Sequence, residues 1–167
     1  MPKKLLNKIN EFDPEITKNA RNLGIYDEIA KKHESSGRCV FCNLKAKYVI
    51  YEYKGWALSV NLFPRSTGDL IVVPKRHLET YREMTPEDHL AMAYLNQLGI
   101  DLLDRGLNIT GIYLLLRDGR GTDKTVKHLH GQVMNYWKGL IDWHPEEEIL
   151  APIEAAVRLR EALNKEK

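Results

Sequence analysis

The sequence predicts an α+β domain with a mostly antiparallel sheet. Three observations carry that prediction. The element order along the chain is helix, strands, helix, strands, helix. Residues 47–60 are β-rich on both sides of a Lys54-Gly55 turn, which makes them a hairpin. A long helix with its own start and stop signals then divides this hairpin region from the later strands.

Residues 1–34 are polar and charge-rich, with Ile9, Phe12, Ile16, Leu23, Ile25 and Ile29 at loosely helical spacing and Pro14 placed to open a helix. They read as an N-terminal helical extension that packs on the body or on a partner subunit. Residues 35–167 form the main domain. After the hairpin, Asp69-Leu70-Ile71-Val72-Val73-Pro74 is a third strand, ended by its proline. Thr85 is an N-cap, Pro86 occupies the first helical position, and Glu87 and Asp88 supply acids to the first turn. The helix runs to about Arg105 and Gly106 ends it. Leu90, Tyr94, Leu98 and Leu102 are its apolar stripe. Residues 112–116 and 126–134 are strands, and Pro152 opens a closing helix that reaches about Leu163.

Composition excludes several classes of function. The chain has 167 residues, 43% hydrophobic and 29% charged, enough for one ordinary globular domain with a real core. A formal net charge of +2 gives no broad nucleic-acid footprint. The N-terminal residues hold no apolar run of signal-peptide length, and no segment approaches the roughly 20 apolar residues a membrane helix needs. The expected location is the cytoplasm, with neither nucleic acid nor membrane as partner.

Both cysteines fall in one unit, Cys39-Val40-Phe41-Cys42. A reducing cytosol disfavours a structural disulfide, leaving metal binding or redox catalysis. A redox pair belongs at the start of a helix, whereas the residues that follow soon become β. Two thiolates at this spacing can share one tetrahedral zinc, with histidines completing the set. The chain has six histidines, and spacing alone does not select among them.

The other chemical signal is His128-Leu129-His130-Gly131-Gln132-Val133. In a strand, period two puts His128, His130 and Gln132 on one face and sends Leu129 and Val133 into the core. Before it runs Arg117-Asp118-Gly119-Arg120-Gly121-Thr122-Asp123-Lys124-Thr125, a loop offering exposed amides, hydroxyls and positive charge to phosphate. A neutral imidazole is a good phosphorus nucleophile, and His130 sits at the centre of the row. The plainer alternative is a half-exposed strand showing polar residues to solvent.

These residues resemble the histidine-triad (HIT) superfamily, whose signature is His-x-His-x-His, with glutamine at the third position in one branch. The Cys-x-x-Cys unit resembles that of zinc-containing members. Asn61-Leu62-Phe63-Pro64 and Gly68 to His77 resemble the family's nucleotide-binding hairpin. The likeness covers roughly residues 39–137.

The resemblance implies a HIT-like fold and a set of roles. His130 would form a nucleotidyl-histidine intermediate, with Gln132 beside it. Cys39, Cys42, His77 and His128 would hold a structural zinc. Asn61 would bind the ribose, with Leu62 and Phe63 near the base. Arg117, Lys124 and Thr125 would lie near the phosphates of an adenine or uridine nucleotide. A homodimer is also implied.

Two departures from the pattern matter. Gln132 replaces the third histidine, as in galactose-1-phosphate uridylyltransferase and diadenosine tetraphosphate phosphorylases. Asp69 stands where many members carry a fourth histidine, and is a candidate base for water. An amide neither donates nor takes up a full proton at neutral pH. Gln132 therefore suits anionic leaving groups and acceptors, and suits amine leaving groups poorly. The expected function is nucleotidyl transfer or phosphorolysis on nucleoside polyphosphates or nucleotide sugars. The alternatives are a dinucleoside polyphosphate or phosphoramidate hydrolase, a nucleotide-binding sensor with little turnover, and a zinc-stabilised interaction domain.

Overall fold

The computed structural model describes residues 19–136, except 120 and 123, together with residue 157. The chain divides into two compact units, 1–136 and 137–167. The predicted helix start at Pro14, the closing helix from Pro152, and His144, Trp137 and Trp143 lie outside the described residues.

Five strands form one antiparallel sheet. They are β1 (Val49–Tyr53), β2 (Trp56–Val60), β3 (Leu70–Pro74), β4 (Ile112–Leu116) and β5 (Gly131–Asn135), in the spatial order β1-β2-β3-β5-β4. Lys54 and Gly55 both take positive φ, 45° and 78°, as a two-residue turn requires when it must match the twist of its strands. Two α-helices are described, α1 (Tyr26–Ser35) and α2 (Pro86–Leu107).

Helix α2 lies on one face of the sheet and closes the main core, which includes Trp56, Leu58, Leu70, Val72, Leu129 and Val133. Of the predicted stripe, Leu98 and Leu102 pack partly buried against the core, but the fully buried face of α2 is a different one. It consists of Asp88, Ala91, Leu95, Gly99 and Leu103, while Leu90 is 65% exposed and Tyr94 42% exposed. Small residues build the contact. A Cβ at Gly99 would already stand 3.4 Å from Leu58 and 3.5 Å from Leu70 and Val133, so glycine lets the helix axis approach the sheet. The C-terminus differs too. Gly106 is helical, and Asn108 ends the helix in the left-handed region at φ 55°, with its N–H closing on the carbonyls of Leu103 and Asp104.

The N-terminus of α2 is locked to the sheet through Asp88. Thr85 and Asp88 make a reciprocal capping box. The Trp56 indole N–H donates to Asp88 Oδ1 at 2.8 Å, and Arg76 pairs with Oδ2. Burial raises the Asp88 pKa, but the bonds from Thr85, Trp56 and Arg76 outweigh it and hold the carboxyl well below the usual carboxylate range. A depressed pKa contributes stability above the unfolded value, about 4, and that stability is lost as pH falls further. Asp88→Ala strands a buried indole N–H and removes the cap, so it is expected to cost about 2–4 kcal/mol. Urea unfolding measures this cost. A shallower loss of stability in Asp88→Asn than in wild type below about pH 4 is the accompanying sign, and unchanged midpoints in both variants would refute the linkage.

The predicted strand 126–134 is shorter and later than its pattern implies, because β5 begins only at Gly131. Ahead of it the Leu129 N–H donates to Leu78 O at 2.6 Å rather than to a neighbouring strand. That diversion turns His128 towards the end of β3 and sets up the site.

Candidate active site and metal centre

His128 is fully buried, and its Nε2–H donates to Pro74 O at 3.0 Å, where β3 ends. That bond fixes the tautomer and leaves the Nδ1 lone pair pointing at two thiols. Cys39 Sγ lies 3.3 Å from it and Cys42 Sγ 3.5 Å. His77 Nδ1 is 3.3 Å from Cys42 Sγ, and its Nε2 faces Glu79 Oε1 at 3.5 Å. One ligand atom from each of Cys39, Cys42, His77 and His128 lies within 4.8 Å of all the others.

This donor set fits a tetrahedral zinc. Zn–S near 2.3 Å and Zn–N near 2.0 Å place ligand atoms roughly 3.3–3.8 Å apart around the metal. Both imidazoles also have an acceptor on their outer nitrogen, as metal-bound histidines require. Burial and the neighbouring Cys39 raise the Cys42 pKa, the opposite of a redox-active thiol.

His130 is 9% exposed, at the threshold of β5. Its Nδ1–H donates to His128 O at 2.9 Å, so the lone pair resides on Nε2. Burial and the charges of Arg117 and Lys124 lower its pKa to about 4, against the opposing effect of that bond, and the ring is neutral. Gln132, 5% exposed, pairs with Ile71 and Leu115 in the ladder. Leu129 and Val133 enter the core beneath α2.

The remaining predicted residues separate into two groups. Asn61, Leu62, Phe63 and Thr125 line one cavity of about 930 Å³. Asp69, by contrast, is 2% exposed and tied to its own loop, with Oδ2 accepting from Asn61 Nδ2 at 3.1 Å and from Arg65 N at 3.0 Å. Burial raises its pKa. Asn61 Oδ1 in turn accepts from Phe63 N at 3.1 Å, so Asp69 and Asn61 together brace the turn 61–69. Lys124 Nζ donates to Glu79 O at 2.8 Å and Lys127 O at 3.3 Å, which holds the phosphate-type loop against the segment after His77.

One contact has no counterpart in the sequence reading. The Phe41 ring, inside the Cys-Val-Phe-Cys unit, stands 4.8 Å from His130 and 6.0 Å from His128. Its signal is an aromatic between two candidate ligands, a position that ties it to the cysteine turn.

Residues 43–135 match the HIT domain family model. The chain belongs to the HIT family. It is 30% identical to an uncharacterized HIT-like protein of Methanocaldococcus jannaschii, over 60% of this chain and 81% of that protein. It is 27% identical to a bis(5'-adenosyl)-triphosphatase of Dictyostelium discoideum, over 57% of this chain and 62% of that protein. Among solved structures, a HIT family protein from Bacillus anthracis superposes with a TM-score of 0.66 at 18% identity, covering 78% of this chain and 97% of that one. A zinc-bound histidine triad family protein from Mycobacterium smegmatis gives 0.55 at 26% identity, covering 78% and 96%. Among the described residues no helix is long and apolar enough to cross a membrane.

Proposed function

We propose that this HIT protein is a nucleotidyltransferase or phosphorylase that works through His130 on nucleoside polyphosphates or nucleotide sugars. The observation that carries the reading is the pinned, neutral imidazole. With Nδ1–H committed to His128 O, Nε2 is the nucleophile. It attacks the α-phosphorus; a P–N bond forms and the bond to the leaving phosphate or sugar phosphate breaks. Arg117 and Lys124 bring positive charge to the same ring, which favours charge building on the phosphoryl oxygens. An anionic acceptor then takes the nucleotidyl group and frees Nε2. Neither step asks Gln132 for a proton, which an amide does not supply.

Cys39, Cys42, His77 and His128 would hold the zinc, whose chemistry here is that of a fixed crosslink. The Mycobacterium smegmatis relative supports that metal. The functional test compares products from diadenosine tetraphosphate, ATP and UDP-glucose with and without inorganic phosphate. Phosphate should enter the product and raise the rate. Identical rates and products would exclude phosphorolysis.

The likeness to a bis(5'-adenosyl)-triphosphatase favours a second reading, hydrolysis on the same site. Hydrolysis needs a base for water, and Asp69 is the residue to test. Its two bonds within the turn 61–69 support a bracing role instead. Asp69→Asn keeps an acceptor oxygen, so turnover is expected to stay within about threefold of wild type, whereas loss of a general base costs about 10²–10⁴-fold. A fall of the larger size, with the fold intact, would return Asp69 to catalysis and favour hydrolysis.

A further inference from the structure

Helix α1 lies outside the stretch that matches the family, yet it is bound closely to the candidate site. Ala20, Ile25 and Ile29 form a second buried cluster, packed against Tyr26 and Phe63. Arg21 Nε donates to Phe63 O at 2.9 Å, and the same guanidinium sits 3.8 Å over the Tyr26 ring. Tyr26 meets Phe63 edge-on, with ring centroids 5.6 Å apart. All these contacts converge on one residue of the loop after β2.

The cavity of about 930 Å³ opens beside this junction. Tyr26, Ile29 and Ala30, with Lys32 and His33 further along the helix, form its α1 wall, Leu62 and Phe63 line it from the loop after β2, and Phe41 lines it from the cysteine turn. Thr125 and Lys127 line it from the loop that leads to His130. Phe41 itself stands 4.8 Å from the His130 ring, so the cavity lies one aromatic ring away from the nucleophile. Its two regions differ in chemistry. Rings and aliphatic groups come from Tyr26, Ile29, Ala30 and Phe63, and a hydroxyl and an ammonium come from Thr125 and Lys127 of the loop that leads to His130. A nucleotide has the same asymmetry, a flat heteroaromatic group at one end and an anion at the other.

We propose that α1 is the base-side wall of the nucleotide pocket, and that Tyr26, Ile29 and Ala30 determine which heteroaromatic group is accepted. This rests on the nucleotide reading given above. Ala30 is small and partly exposed, so a larger side chain there grows into the space a base would fill. Lys31, next to it, is exposed and is not among the residues that line the cavity.

The test is isothermal titration of the zinc-loaded full chain with AMP, GMP, UMP and CMP, which avoids turnover. Ala30→Trp should weaken the purine nucleotides by about tenfold or more and shift preference towards pyrimidines, a change of the size that pocket volume governs. Lys31→Trp should leave all four affinities unchanged. Tyr26→Leu, a milder change that keeps apolar bulk, should alter the ranking of the four bases by about threefold, and it decides the matter if Ala30→Trp does not fold. Wild-type affinities and ranking in both wall variants would overturn the proposal. Failure of the wild-type protein to bind any of the four would instead overturn the nucleotide reading, and the inference with it.

Discussion

His130→Asn is expected to lower kcat by about 10³-fold or more while nucleotide affinity stays within a few-fold of wild type. Asparagine can still donate to the His128 carbonyl, so the local fold survives. What disappears is the lone pair on Nε2, the atom that the 2.9 Å bond at Nδ1 sets free. Intact-protein mass measurement supplies the second readout. After brief exposure to a donor, wild type should carry one nucleotide monophosphate and the variant none, and the added mass names the base. The split between kcat and affinity matters because His130 is also a buried polar group beside Phe41. A purely structural residue would lower stability and affinity together and leave residual turnover per folded molecule unchanged. Retention of a tenth or more of the rate in a folded variant would remove His130 from covalent catalysis. The sensor reading would then gain.

The residues that read correctly from sequence are those whose signals are local. Thr85-Pro86 with Asp88 specifies a helix start through bonds within four residues, and the capping box is present. Lys54-Gly55 specifies its hairpin for the same reason. The errors arose where a distant partner decides. Leu90 and Tyr94 are larger and more apolar than Ala91 and Gly99, but α2 needs small residues to approach Leu58 and Val133. The alternation at His128 to Gln132 correctly sends Leu129 and Val133 inward, yet only Gly131 onwards is strand, because Leu129 bonds to Leu78 and His128 turns to Pro74. The metal cluster is intermediate. Cys-x-x-Cys spacing announces two ligands, whereas His77 and His128 come from a resemblance and no local rule selects them. Their convergence depends on β3 and β5 being neighbours, a property of the sheet order. The role of α1 had no local signal either, since its Tyr26 and Ile29 meet Phe63 only after folding.

Removal of the metal should have the largest effect on the folded state. Cys39→Ser with Cys42→Ser is expected to abolish stoichiometric zinc. Where free zinc stands a thousandfold above its dissociation constant, the lost linkage is worth about 4 kcal/mol, which corresponds to a fall in Tm of about 10 °C. The cluster ties the turn at 39–42, which lies in no strand, to the segment after β3 at His77 and the approach to β5 at His128, which the β3–β5 pairing already brings together. Across to the β3 side, that approach is also held by Leu129 N–H to Leu78 O, by His128 to Pro74 O and, through Lys124 Nζ, by the bonds to Lys127 O and Glu79 O. Without the crosslink the cysteine turn is free to leave, taking Phe41 away from His130. Turnover should therefore fall with zinc content even though the metal on these four ligands would touch no reacting atom, and readdition of zinc after chelation of the wild-type protein should restore both. Metal analysis, calorimetry and rate measurement on one preparation separate the possibilities. A double variant that keeps one zinc per chain would show that other residues hold it. An unchanged Tm with full activity would refute the crosslink and revive the two thiols as candidates for another chemistry.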